Sequence, residues 1–339
     1  MQIKQNSPLV DETEKISFII TYYNIDVDML CQCIDSIMAL SLRPSEREII
    51  VIDDGSEVSP IEALRKYDND IMYVRQSNQG LSAARNAGIR ISTGMYIQFM
   101  DADDYLIQPA FEHCLDIVRY NNPDIVLFQL TDKESKEVTV AFEGPVEGSE
   151  YMRQHNLRAS ACGYIFRKAT LVNLRFRSGI LHEDEEFTPQ LILRAERLFY
   201  TEAEAYFYRK RNKSITHNDD LKWRLRRLND MEAIILNLND RADSLPQADR
   251  EALQRRVAQL TMDYIYNYIR LTHDSKHLEK CIERLHEKGL FPLPDRHYTR
   301  KYTWVRRLSM TKIGRKLLLM SIPKQYVYCI YEDFAHWRI

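Results

Sequence analysis

Over the first 130 positions, apolar residues fall in short, nearly continuous runs separated by stretches of helical period. Residues 16–21 (ISFIIT) form a β-branched run. After it Leu30, Cys33, Ile34, Ile37, Met38 and Leu40 recur at the spacing of one helix face. A second run at 48–52 (EIIVI) stops abruptly at Asp53-Asp54-Gly55-Ser56. A helix from about Pro60, a strand at 71–75 and a helix at 81–92 follow. A strand at 95–100 stops at Asp101-Ala102-Asp103-Asp104, and a helix at 109–120 leads to a strand at 124–129. Continuous apolar strands alternating with helices predict an α/β class: a Rossmann-type, mostly parallel sheet with helices on both faces.

The pattern loosens into a charged, hairpin-like segment at 131–148. Residues 162–176 predict a strand with a short helix, 185–195 a helix and 206–210 a strand. Long helical patterns at 221–238 and 249–273, with a shorter one at 277–288, form a C-terminal helical appendage. Pro292 and Pro294 punctuate the entry to a basic end. The expected organisation is a catalytic domain over 1–218, a helical region over 219–294 and a basic amphipathic tail over 295–339.

Composition narrows the class. With 339 residues, 45% hydrophobic and 28% charged, the chain has the make-up of an ordinary globular protein rather than a disordered or fibrous one. A formal net charge of −2 argues against nucleic acid as a partner. That small sum hides an asymmetry, because positions 295–339 hold ten Lys/Arg against three Asp/Glu. The six cysteines show neither CxxC pairs nor zinc spacing, as in a reduced compartment. The first residues, MQIKQNSPLVDETEK, lack the apolar core of a secretion signal, and a cytoplasmic protein is expected. The tail reads either as a helix docked on the acidic body or as a segment lying on the inner-leaflet surface, peripheral to the cytoplasmic membrane.

In open α/β sheets ligands bind outside the carboxyl ends of the strands. Three strands here end in polar clusters: Thr21-Tyr22-Tyr23-Asn24, Asp53-Asp54 and Asp101-Ala102-Asp103. In the last, both carboxylates can approach one cation, or one the cation and one a sugar hydroxyl; oxygen donors favour Mg2+ or Mn2+. Asp53 or Asp54 can accept from a base edge or a ribose, or build an Asx-type turn. Thr21 and Tyr23 offer a hydroxyl and a ring, or a plain strand-end turn. Asn78-Gln79-Gly80 opens a helix of small residues in which Arg85 is either a structural ion-pair partner or a phosphate contact.

In order and spacing, ISFIITYYN, EIIVIDDGS, SNQGLSAARNAGI and GMYIQFMDADD resemble the nucleotide-binding half of family 2 glycosyltransferases of the GT-A fold, over about residues 16–106. The resemblance implies that Thr21 and Tyr23 line the nucleobase site and that Asp54 bonds the base with Asp53 beside it. It implies that Asp103 holds the metal, with Asp101 its companion near the ribose or sugar. Leu181-His182-Glu183-Asp184-Glu185-Glu186-Phe187 resembles the family's general-base segment, with Asp184 matching the aspartate and Glu183 the runner-up. Residues 206–217 resemble a YxYR…SIT flap, in which Arg209 and Arg211 would face the leaving diphosphate and His217 would add a metal ligand.

The function this implies is a metal-dependent transfer, with inversion, of a sugar from a nucleotide donor, expected to be UDP-linked. The acceptor would be a hydroxyl of a glycan or lipid-linked glycan in cell-surface polysaccharide synthesis. Two alternatives remain at this stage. A sugar nucleotidyltransferase also uses a strand-end Asp pair, although no Gly-rich phosphate loop follows the first strand. A non-catalytic glycan- or partner-binding protein on the same fold would not need all these carboxylates together.

Overall fold

The computed structural model describes residues 15–133, 140–210 and 221–324. The chain divides into two compact units. One comprises Met1–Pro145, Ala161–Arg175 and Arg197–Tyr208; the other comprises Val146–Ser160, Phe176–Glu196 and Arg209–Ile339. The unit that holds the C-terminal helices therefore recruits two segments from well before residue 219.

The first unit is built on a nine-stranded sheet. Strands β1 (Ile16–Tyr22), β2 (Arg47–Asp53), β3 (Ile71–Arg75) and β4 (Tyr96–Asp101) lie in the order β3-β2-β1-β4, all parallel. Helix α1 (Val27–Met38) links β1 to β2, α2 (Ile61–Leu64) with a 3-10 turn links β2 to β3, and α3 (Leu81–Ile91) links β3 to β4. The chain moves outward from β1 to β3 and then returns past β1 to β4. Right-handed crossovers thus put α1 and α2 on one face and α3 on the other. The reversal makes the β1/β4 boundary a topological switch point, where the flanking loops part and leave a crevice.

The remaining strands extend the sheet beyond β4. They are β5 (Tyr105–Leu106), β6 (Ile125–Thr131), β7 (Phe142–Val146), β8 (Tyr164–Arg167) and β9 (Leu198–Phe207), in the order β4-β8-β6-β9-β5 with β7 also on β9. Strand β8 runs antiparallel to both β4 and β6, whereas β6 and β9 are parallel. Helix α4 (Gln108–Asn121) packs on this half, with Phe111 set between Phe18 and Phe128. The strand expected at 206–210 runs instead over Leu198–Phe207.

Small residues in α3 have a packing reason. A Cβ on Gly88 would fall 2.2 Å from Ile19 Cγ2 on β1, so only glycine lets the helix seat this close to the sheet.

The second unit is helical: α5 (Gly148–Gln154), α6 (Glu183–Ile192), α7 (Leu221–Ala242), α8 (Gln247–Thr272), α9 (Ser275–Glu287), α10 (Arg300–Ser309) and α11 (Lys312–Ser321). Its three longest neighbouring helices are tied by one polar cluster. Arg284 of α9 forks onto Glu232 of α7 at 2.9 and 2.9 Å, and Tyr264 of α8 donates to the same carboxylate at 2.7 Å. The basic end is folded over much of its length, with Tyr302, Val305 and Leu318 buried. Among the described residues, no helix is long and apolar enough to cross a membrane.

Candidate functional site

The parallel register sets the ends of the motif strands level. Thr21 pairs with Asp101 across β1/β4, and Tyr22 with Asp53 across β1/β2. At the switch point Asp101 Oδ1 accepts from Arg85 Nη2 at 3.2 Å and from Thr21 Oγ1 at 3.4 Å. Three predicted residues, from β1, α3 and β4, thus meet on one carboxylate. Arg85 is buried, and Asp101 keeps about a third of its side chain exposed. Of the alternatives for Arg85, the structure displays the ion pair, at the mouth of the crevice. Asp103 is also partly exposed, one turn beyond Asp101.

Asp104, the last acid of the run, has a different task. It is buried and accepts from the Tyr206 hydroxyl at 2.9 Å, while that hydroxyl accepts from the Asp101 backbone N–H at 3.1 Å. The Tyr206 side chain on β9 thereby pins both ends of the Asp101–Asp104 turn. Nothing in the local pattern of either residue announces this pairing.

Asp53 and Asp54 are buried and held by the chain's own donors. Asp53 accepts from the Ser56 N–H at 2.8 Å and from the Tyr73 hydroxyl at 2.7 Å, with Arg75 Nε at 3.6 Å. Asp54 accepts from Gln76 Nε2 at 2.7 Å, Gln79 N at 2.9 Å and Gly80 N at 2.7 Å. The last two amides lead into α3, so the Asp54 carboxylate meets the positive end of that helix. Gly55 turns the chain directly after the two aspartates with φ of 77°, a conformation that suits glycine. Tyr23 stands out from the end of β1 with 45% of its surface exposed.

In the second unit, α6 opens on the acidic run. Glu185 is buried in an ion pair with Arg256 of α8, whose Nη1 also donates to Leu157 O at 2.9 Å. Glu186 is buried against Arg177 at 2.8 Å and accepts from Asn237 of α7. These two acids hold the helix in place. Glu183 is buried, and Asp184 alone of the four keeps intermediate exposure. Arg209 is partly exposed just after β9. Arg211 and His217 lie outside the described residues.

His182 caps α6 with φ of 62°, and its Nε2 accepts from Arg227 Nε at 3.1 Å. Burial of the ring, and then the Arg227 cation, push its pKa down to about 3. The folded protein therefore holds His182 neutral, whereas an unfolded chain protonates it below about 6.5. Its contribution is fully present above that value and is lost as pH falls towards 3, at up to about 1.4 kcal/mol per pH unit. Thermal melts across this window should show a shallower pH dependence for His182→Asn, which retains a side chain tolerant of positive φ.

The donor set suits a divalent cation that is shared with a substrate. Among the described residues no group of three or more His, Cys, Asp or Glu side chains could hold a metal ion by itself. Asp101 and Asp103 offer two partly exposed oxygen donors, the number Mg2+ or Mn2+ takes where phosphates complete the shell.

Residues 17–168 match the model of the family described as Glycosyl transferase family 2. The glycosyltransferase GlyA of Streptococcus pneumoniae is 30% identical over 236 residues, which cover 63% of this chain and 33% of that protein. The poly(ribitol-phosphate) beta-glucosyltransferase of Bacillus spizizenii is 36% identical over 121 residues, covering 34% of this chain and 19% of that protein. The chain spans 33% of the length of the first of these relatives and 19% of the second, and 65% of the uncharacterized glycosyltransferase YibD of Escherichia coli, which is 28% identical. Among solved structures, S. aureus TarS 1-349 in complex with UDP-GlcNAc superposes with a TM-score of 0.59 at 17% identity, covering 86% of this chain and 90% of that one. The fold is GT-A.

Proposed function

We propose that this chain, a member of glycosyl transferase family 2 through residues 17–168, transfers a sugar from a nucleotide donor, of which a UDP-sugar is the first choice, to a hydroxyl of a cell-surface glycan or its lipid-linked precursor. The observation that carries the reading is the meeting of Thr21, Arg85 and Asp101 at the β1/β4 switch point, inside the matched region. A minor teichoic acid biosynthesis protein and a poly(ribitol-phosphate) beta-glucosyltransferase among the relatives, and a UDP-GlcNAc complex among the structural neighbours, support the choice of acceptor and donor.

In this reading Tyr23 stacks on the nucleobase and Thr21 lines its pocket. Asp54 spends three of a carboxylate's roughly four acceptor sites on its own chain and keeps one for a base N–H. Asp53 fixes the turn beside it. Asp103 and Asp101 hold Mn2+ or Mg2+, which supplies charge neutralisation to the departing diphosphate. Arg85 orients Asp101, and Arg209 and Arg211 are the cations assigned to the leaving diphosphate. His217 is assigned to the same metal site. Asp184 removes the acceptor's proton in a single inverting displacement, on the face opposite the leaving group. The work is placed at the cytoplasmic face of the membrane, where lipid-linked precursors are elongated.

The test is release of free nucleoside diphosphate from a panel of sugar nucleotides with Mn2+. The expected result is release from one donor class, with the same donor raising the melting temperature. No release and no thermal shift with any donor would leave a binding protein on the same fold; release of pyrophosphate from a nucleoside triphosphate would identify a nucleotidyltransferase.

A further inference from the structure

Helix α11 is turned the wrong way round for a helix that meets only water. Its inward face carries Gly314, Arg315 and Leu318. Arg315 forks onto Glu279 of α9 at 2.7 and 2.8 Å and donates to Ser309 O at 2.6 Å. A Cβ at Gly314 would fall 2.2 Å from Leu308 O, so α11 is also wedged against the end of α10. These contacts fix its rotation. They leave Ile313, Leu317 and Met320, at i, i+4 and i+7, facing outward with 75%, 48% and 83% of their surface exposed. A helix on a protein surface normally shows water its polar stripe and the core its apolar one. Here a guanidinium points in and three large aliphatic groups point out.

Along the chain the stripe is flanked by one sign of charge, and the neighbouring Glu279 of α9 is paired with Arg315. Lys312, Lys316 and Lys324 are exposed, and no acidic residue occurs from position 296 to position 331. Met310, in the link between α10 and α11, is exposed too, as are Trp304 and Arg307 on α10. An apolar stripe edged by lysines is the surface an anionic bilayer takes up. The side chains enter the acyl boundary while the ammonium groups stay among the lipid phosphates. A second copy of the chain is the poorer partner, because a two-fold pairing of the stripe would bring the lysines of both copies together.

We propose that the outward face of α11 is a membrane-contact surface that selects anionic phospholipid. This goes beyond the transfer reaction, and its test needs neither donor nor acceptor. The full chain is sedimented with vesicles of phosphatidylcholine alone or mixed with phosphatidylglycerol. Binding is expected to the mixed vesicles only and to weaken with added salt. The double variant Lys312→Gln/Lys316→Gln should lose about fivefold in partitioning per lysine. Ile313→Asp/Met320→Asp, at two positions that are already solvent-exposed, should lose at least about tenfold without a change in melting temperature. Equal binding to both vesicle types, no binding to either, or a double aspartate variant that binds like the parent would each overturn the proposal. So would a concentration-dependent dimer that the aspartate variant abolishes, which would make the second copy the occupant.

Discussion

Replacing Asp103 by alanine is expected to reduce metal-dependent release of nucleoside diphosphate by at least about 100-fold, the scale on which removing one preorganised electrostatic group lowers turnover. Three acids that the sequence presents as one run have different surroundings in the structure. Asp104 is buried and held by Tyr206, and Asp101 has Arg85 and Thr21 on the same oxygen. Asp103 is the partly exposed carboxylate beyond them, and in the proposed reading it is the one that a cation and a diphosphate share. The variant should lose the further rise in melting temperature that donor plus Mn2+ produces in the parent. Asp104→Asn should behave in the opposite sense, with a lower melting temperature in all conditions, because its partner hydroxyl also holds the Asp101 backbone. If Asp103→Ala retained both turnover and the metal-dependent thermal shift, the cation would not be held at this strand end.

How much of this was legible beforehand depends on the range of the forces involved. Strands β1 to β4 lie within a residue or two of where the apolar runs place them, and for β1, β2 and β4 the reason is that a strand buried on both faces writes itself as a continuous run. Strand β9 did not. In LFYTEAEAYF, Glu202 faces out while Ala203 and Ala205 are buried, and alanine adds little apolar signal to that alternation. The antiparallel insertion of β8 between β4 and β6 rests on pairings such as Tyr96 with Arg167, which no local pattern encodes.

The site divides in the same way. Thr21, Arg85 and Asp101 were each readable as candidates, and the switch-point topology brings them together. What stayed hidden were the supports: Tyr73 under Asp53, Gln76 and Gln79 under Asp54, and Tyr206 under Asp104. Each is an ordinary polar residue whose role exists only once distant segments meet. The basic tail shows a related limit. Composition left docking and membrane contact as alternatives, and the helix answers with one face docked and the other exposed.

The acidic opening of α6 yields the second large effect. Four carboxylates in a row leave the choice of general base open in the sequence, and in the structure they differ in exposure. A base must be reachable by the acceptor hydroxyl. Glu185 is committed to Arg256, and Glu186 to Arg177 and Asn237. Removing either would chiefly destabilise α6, since the guanidinium left behind has lost its countercharge. Glu183 is buried like these two, and Asp184 is the most accessible of the four. Asp184→Asn is therefore expected to lower transfer to acceptor by about 100- to 10,000-fold, the usual worth of a positioned base, while donor binding and the metal-dependent thermal shift stay intact. The amide keeps the size and polarity of the side chain and removes only its basicity. Glu183→Gln, made alongside, should retain most of the transfer. Should the two variants exchange behaviours, the base is Glu183; should both transfer like the parent, the proton leaves by a group outside α6, and the inverting assignment fails with it.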